Sequence, residues 1–315
     1  MASPQSNRAR VRSNTKRAVI VMRKKFIKTY EKIISADDKQ VLLLGDIGVF
    51  GFRNVFAAYP SRVFNIGILE PATIGLAAGM SKAGLTPTIH TIAPFLVERA
   101  FEQIKIDLGY QQLGCNLVSV GSSYDYAALG CTHHCPGDVG ILQYIPSIEI
   151  VVPGTPEEFD KLFTDSHDNG KTTYYRLSEK SHSLDFKVQF GKANVIKKGR
   201  DLTVITFGPM LEQVYTAVKD LDVTLLYYST ISPFDEDTLR NNLTSSQKIL
   251  LVEPFYSGTM FDKVIHALRG NKVSIKSLGI PREFLRSYGS AHEHDKALGF
   301  NMENIEKYIK AFKDE

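Results

Sequence analysis

The sequence predicts an α/β protein: two tandem three-layer α/β/α domains with mostly parallel sheets. Three observations carry the prediction. A chain of 315 residues, 43% of them hydrophobic, has the length and composition of about two globular domains. Short apolar runs alternate with segments of helical period, the pattern of parallel strands joined by covering helices. The alternation lapses once, over a polar stretch ending near residue 200, and then resumes.

The elements follow in order. Residues 1–18 hold Arg8, Arg10, Arg12, Lys16 and Arg17 and no acid, and read as a basic disordered tail. Its charge of +5 exceeds the net +4 of the chain, so the remainder carries −1 and offers no basic stripe for nucleic acid. In 19–36, Val19, Met22, Phe26, Tyr30, Ile33 and Ile34 recur at spacings of three and four, which predicts an amphipathic helix. "VLLLGD" (41–46) is a buried strand running into a turn, and "RVFNIG" (62–67) is a second strand. "PATIGLAAGMSKAG" (71–84) is helical, with Pro71 in the first turn where its missing N–H does no harm. "TPTIHTI" (86–92) and "NLVSVGS" (116–122) are strands on either side of a helix at 95–110. A helix at 137–145, a strand at 148–154, a helix at 155–168 opened by a Thr-x-x-Glu capping box, and a strand at 172–178 complete a first domain, 19–182. The linker is placed at 183–200. The second domain, 201–315, repeats the alternation through "DLTVITFG", "MLEQVYTAVKDL", "VTLLYYS", "DEDTLRNNL", "KILLVEP" and "TMFDKVIHALRG".

No apolar run reaches the roughly 18 residues of a membrane span, and the N-terminus has no signal-peptide core. Three cysteines, Cys115, Cys131 and Cys135, are too few for a disulfide framework in this length and fit a reducing compartment. The expectation is a soluble, cytoplasmic protein with no membrane partner.

Two stretches carry candidate chemistry. "GCTHHCPGD" (130–138) crowds Cys131, His133, His134 and Cys135 together. A closed metal site needs four converging ligands, usually as two separated pairs, whereas side chains at successive positions point apart. A Cys–His nucleophile meets the same objection. The remaining reading is a polar loop feeding a helix, set at the carboxyl end of a parallel strand, where open α/β sheets bind ligands. The second stretch centres on Glu70, flanked by Ile66, Ile68, Leu69 and Pro71. A carboxylate in apolar company holds its proton more tightly and can donate it near neutrality. A glutamate at a helix start also simply complements the dipole.

A longer pattern surrounds Glu70. In "FNIGILEPATIGLAAGMSKAGLTPTIHTIAPFLVERAFEQI" come, in order, Gly67-Ile68-x-Glu70, a small-residue helix, Gly84-x-x-Pro87, then Phe95 and a helix. "CTHHCPGDVGILQYIPSIEIVVPGTPEEF" follows with a Thr-His loop, a helix, an Ile-Pro turn and a strand. From about residue 19 onward the chain resembles thiamine-diphosphate enzymes of the transketolase class, which includes transketolase, deoxyxylulose-phosphate synthase and the β subunits of 2-oxo-acid dehydrogenases. The first domain resembles their pyrimidine-binding domain and the second their C-terminal domain.

The resemblance implies roles. In the family a glutamic acid bonded to the cofactor's aminopyrimidine drives its imino tautomer, and Glu70 stands at that position. Phe95 resembles the aromatic stacked on the aminopyrimidine, with Phe101 as a second ring and Asp46 lining the cofactor site. Glu98 stands where some relatives carry an aromatic. His133 is similar to a histidine that contacts the substrate, and His134 replaces a frequent glutamine. Where transketolases often show Ser-Arg-Gln, this chain has Ser178-Glu179-Lys180, which leaves Lys180 as the substrate-facing cation and a carboxylate that would repel a phosphate. Cys131 and Cys135 become bystanders.

The family's Gly-Asp-Gly…Asn motif for Mg²⁺ and diphosphate is absent, and "GDIG" (45–48) does not replace it. The resemblance therefore implies no metal ligands on this chain and an N-terminal partner subunit that holds Mg²⁺ and diphosphate, in an α2β2 assembly. The function implied is the C-terminal subunit of a split transketolase, moving a two-carbon ketol unit between sugars and inactive alone. The alternatives are a deoxyxylulose-phosphate-synthase-like subunit, a 2-oxo-acid dehydrogenase β subunit, and a non-catalytic regulatory relative.

Overall fold

The computed structural model describes residues 10–11 and 22–315. The basic stretch 1–18 thus lies outside the described residues except for β1 (Arg10–Val11). The first sheet is built from α1 (Met22–Ala36), β2 (Gln40–Leu44), α2 (Arg53–Ala58), β3 (Val63–Asn65), α3 (Glu70–Lys82), β4 (Thr86–Ile92), β5 (Cys115–Val120), β6 (Glu149–Val151), α6 (Pro156–Ser166) and β7 (Thr172–Arg176). Two short helical pieces, α4 (Phe101–Gln103) and α5 (Asp138–Leu142), lie between β4 and β6. The strands order as β6-β7-β5-β4-β2-β3, all parallel. Every residue of β2, β5, β6 and β7 is buried, as expected of strands covered on both faces. The buried side chains of α1 are Met22, Phe26, Thr29, Tyr30 and Ile34, one stripe of a helix. Phe26 lies edge-on to Phe159 of α6 at 5.8 Å and to Phe52 at 5.3 Å, which locks α1 against its neighbours.

The helix expected at 95–110 is not one regular helix. It widens into i→i+5 turns at Pro94–Glu98 and again at Ile104–Tyr110, on either side of α4. Such wide turns accommodate an extra residue and shift where side chains project. The helix expected at 137–145 is held to Asp138–Leu142.

The second sheet holds β10 (Thr203–Phe207), β11 (Thr224–Tyr228), β13 (Lys248–Tyr256) and β14 (Ser274–Ile280) in parallel, covered by α7 (Leu211–Val218), α8 (Glu236–Asn242), α9 (Phe261–Ala267) and α11 (Met302–Asp314). Between them, α10 (Ala291–Leu298) opens on a capping box in which Ser290 and Glu293 exchange hydrogen bonds.

Two further features differ from the sequence reading. The segment 183–200, expected to be a linker, contains β8 (Leu184–Asp185), paired with β1, and β9 (Ala193–Lys197). The latter is the antiparallel edge strand of the second sheet, paired with β11. All five of its residues are only half-buried, so no apolar run marks it. Its Lys197 ammonium reaches the carbonyls of Val218, at 2.6 Å, and Lys219, at 3.0 Å, beside the end of α7, where a cation opposes the helix dipole. The other feature is β12 (Thr230–Ser232), which leaves the second domain to pair antiparallel with β6. It extends the first sheet to seven strands and joins the two domains through backbone hydrogen bonds. Among the described residues no helix is long and apolar enough to cross a membrane.

One buried carboxyl makes the second domain sensitive to pH. Glu253 on β13 is fully buried and accepts hydrogen bonds from the amides of Gly258 and Met260, both at 2.8 Å, and from Ser277 at 2.5 Å. Burial outweighs these bonds and pushes its pKa up to about 7. The native state therefore holds this proton over a range in which the unfolded chain has released it. The resulting stability is present below the ordinary carboxyl pKa and is lost as pH rises through about 7. At 1.36 kcal/mol per pH unit the change amounts to about 3 kcal/mol. Urea titrations between pH 4.5 and pH 8 are expected to show that decline, and Glu253→Gln is expected to flatten it.

Candidate active site

Because β2, β3, β4, β5 and β7 run parallel, the residues that follow them emerge at one edge of the sheet, their carboxyl ends. There the chain places Asp46 after β2, Glu70 after β3, Phe95 after β4, the loop with His133 after β5, and Ser178-Glu179-Lys180 after β7.

Glu70 is the first residue of α3 and is 2% exposed. Its surroundings are not purely apolar, as its neighbours in sequence suggest. Arg99 donates to its Oε2 at 2.7 Å, while Oε1 is buried with no partner. The same guanidinium lies over the Phe95 ring at 4.3 Å, and the other contact of that ring is His133, edge-on at 5.3 Å. Tyr126 is also near His133, ring centres 6.5 Å apart. Glu70, Arg99, Phe95, His133 and Tyr126 thus form a continuous chain of contacts. Arg99 and Tyr126 were not singled out in the sequence, although Arg99 follows Phe95 by four residues, the spacing at which helical side chains meet.

The loop 121–137 is held in place by charge. Arg176, 1% exposed, donates through Nε to Asp138 at 2.7 Å and through Nη2 to Ser123 at 2.9 Å. Tyr174 donates to the same Asp138 oxygen at 2.8 Å and shares a hydrogen bond with Ser119. The second domain presses on this loop. Ser123 bonds the Pro254 carbonyl at 2.5 Å, and the Tyr256 amide bonds the Pro136 carbonyl at 3.1 Å. Tyr288 lies so near Gly130 that a Cβ there would come within 2.5 Å of its ring, and Gly130 also has φ +71°. Only glycine satisfies both conditions.

The other predicted residues are placed elsewhere. His134 is buried and faces His294 of α10, ring centres 5.5 Å apart, and burial lowers its pKa. Lys180 is bound by both carboxylate oxygens of Asp295, at 2.5 and 2.6 Å, and lies over the Tyr124 ring. Phe101 packs on the apolar core and has no ring contact with Phe95 among the described residues. Asp46 is exposed in a left-handed turn, φ 57°, where its amide and carboxylate bond the Asn65 side chain at 2.9 and 3.1 Å. Cys135 is buried, 3.5 Å from Glu98 Oε1, and burial pushes its thiol well up. Cys131 is exposed, all three thiols are free, and no group of metal-ligating side chains occurs among the described residues.

Residues 18–181 match the family model of the transketolase pyrimidine-binding domain, and residues 191–305 match that of the transketolase C-terminal domain. The chain belongs to the transketolase family. One relative of this transketolase-type chain is an uncharacterized 33.6 kDa protein in the fasciation locus of Rhodococcoides fascians, 35% identical over 90% of this chain and 92% of its own length. A second relative, one of the subunits of the apulose-4-phosphate transketolase of Phocaeicola vulgatus, is 29% identical over 91% of this chain and 96% of its own. A solved structure described as a split gene transketolase, inactive beta4 tetramer, has the same fold, with a TM-score of 0.82 at 22% identity over 94% of this chain and 99% of its own. The family uses thiamine diphosphate, and the residues here fit that cofactor. Oε1 of Glu70 is a buried oxygen with no hydrogen-bond partner, and Arg99, which holds the other oxygen, lies over the Phe95 ring.

The Arg176–Asp138 pair can be tested apart from catalysis. Arg176→Met leaves Asp138 buried without its cation, which costs about 3–5 kcal/mol. Urea denaturation of the variant is expected to show a loss of that size.

Proposed function

We propose that this transketolase-type chain is the C-terminal subunit of a split, thiamine-diphosphate-dependent enzyme that transfers a two-carbon ketol unit between sugars. The observation that carries the reading is Glu70: a carboxylate 2% exposed, fixed at one oxygen by Arg99 and unpartnered at the other. An unsatisfied buried oxygen is costly unless a ligand completes it. Thiamine diphosphate, when bound, supplies the nucleophilic carbon that carries the two-carbon unit.

The chain's own residues bind, orient and handle protons. Glu70 Oε1 would hydrogen-bond the aminopyrimidine ring, and Arg99 fixes the carboxyl rotamer from the other side. Phe95, braced between Arg99 and His133, offers a flat face to the pyrimidine. His133, whose Nδ1 lies 2.9 Å from the Thr132 hydroxyl, is the hydrogen-bonding group at the mouth. Asp46 is assigned to the rim of the cofactor site. Phe101 and His134 support the site from within the core. Lys180 acts through Asp295 rather than by reaching substrate.

Diphosphate and Mg²⁺ belong to an N-terminal partner subunit, since this sequence lacks the Gly-Asp-Gly motif. Two similar proteins, the apulose-4-phosphate transketolase subunit and the split gene transketolase, support the two-chain arrangement, which we read as an α2β2 assembly. The separated chain is expected to show no ketol transfer, and activity is expected to appear on mixing with the partner. In that complex Glu70→Gln is expected to lower kcat/KM at least about 100-fold, the range of a lost proton-transfer group, without changing the elution volume in size-exclusion chromatography. Activity within a few-fold of the unaltered complex removes Glu70 from the mechanism.

A further inference from the structure

The charges around His133 point to a substrate class. The strand-end segment Ser178-Glu179-Lys180 holds one acid and one base, and the structure treats them oppositely. Lys180 is taken out of play by Asp295, with both contacts at or under 2.6 Å. Glu179 is exposed, and its backbone amide is held by Asp125 Oδ2 at 3.0 Å. Asp125 is fixed in turn by the hydroxyls of Ser122, at 3.0 Å, and Ser178, at 3.2 Å. Asp125 immediately precedes Tyr126, the ring beside His133, and the charges of Glu179 and Asp125 both act on Tyr126. Glu98, also exposed, lies three residues after Phe95 and accepts from the Cys135 thiol, two residues beyond His133, at 3.5 Å.

The cations nearby are paired with other acids, and only Lys180 and Arg176 act on Asp125 besides, at longer range. Arg99 is engaged by Glu70 and Arg176 by Asp138. Arg23 of α1 acts on Glu179 and Tyr126 at longer range, without an ion pair to either among the described residues. The field is felt: burial and then Asp125 raise the pKa of Glu179, and burial with Asp138 raises that of Glu98. The unpartnered, 2%-exposed Glu70 Oε1 marks this same edge of the sheet as a place a ligand completes.

We infer that the sugar end meeting this chain is uncharged, with Glu179 accepting hydrogen bonds from its hydroxyls, so that the enzyme takes unphosphorylated sugars in preference to their phosphate esters. Sugar hydroxyls are donors that a carboxylate binds well, whereas a phosphate dianion at this wall meets like charge. The inference rests on the ketol-transfer reading above.

The test uses the complex of this chain with its N-terminal partner, and hydroxypyruvate as donor. Hydroxypyruvate loses CO2, its remaining two-carbon unit bonds to the aldehyde carbon of the acceptor, and the aldehyde oxygen takes up one proton, giving a ketose two carbons longer. The acceptors are glyceraldehyde and ribose, each compared with its phosphate ester. The free sugars are expected to have at least tenfold higher kcat/KM. Glu179→Arg is expected to shift the ratio toward the phosphate esters at least tenfold, and Glu179→Gln to move it less. Because the ratio is taken on one preparation, a partly folded variant does not alter it. Turnover of hydroxypyruvate with a tenfold preference for phosphate esters overturns this inference and leaves ketol transfer standing. No turnover with any acceptor removes ketol transfer, and this inference with it.

Discussion

Arg176 and Asp138 are each within 1% of complete burial, so each charge has lost its water and must be satisfied by the other and by neighbours. Asp138 takes Arg176 Nε and the Tyr174 hydroxyl, and Arg176 also reaches Ser123 on the far side of the loop and lies over Phe255 of the second domain. One guanidinium therefore ties the last residue of β7, both ends of the His133 loop, and β13. Loosening it would release a loop that has little regular structure of its own, only single turns at Ala127–Leu129 and Cys131–His133.

The second domain emerges as a working part of the site rather than an appendage. It gives β12 to the first sheet, the Pro254 carbonyl to the Ser123 hydroxyl, the Tyr256 amide to the loop backbone, Tyr288 to Gly130, and His294 and Asp295 to His134 and Lys180. Apart from β12, these contacts fall on the segment that carries His133 or beside it. A rigid support of this kind lets a loop hold catalytic geometry that its own backbone could not fix.

Electrostatics divides the site into two regions. Around Glu70 a single cation, Arg99, is shared between a carboxylate and an aromatic face, which fixes both without leaving a free positive charge. Near His133, Glu98 and Glu179 are exposed carboxylates. The bases that might have balanced them, Arg176 and Lys180, are spent on structure.

The order of strands and helices in the first domain is legible in the sequence, because fully buried parallel strands read as uninterrupted apolar runs such as Val41–Leu44. Glu70, Phe95 and His133 are legible too, since their type and order repeat a known pattern. Elements without an apolar run leave no such mark. The edge strand Ala193–Lys197 is half-buried throughout, and Thr230–Ser232 is too short to have a period; both exist because a neighbouring strand offers free backbone groups. Side-chain partners come from the folded arrangement alone. His134 and Lys180 look like equals of their neighbours in the chain, yet α10, more than a hundred residues away, turns both from the opening. Arg99 became part of the site for the same reason. A charge settles where the opposite charge has been placed by the fold, and that placement is not local in sequence.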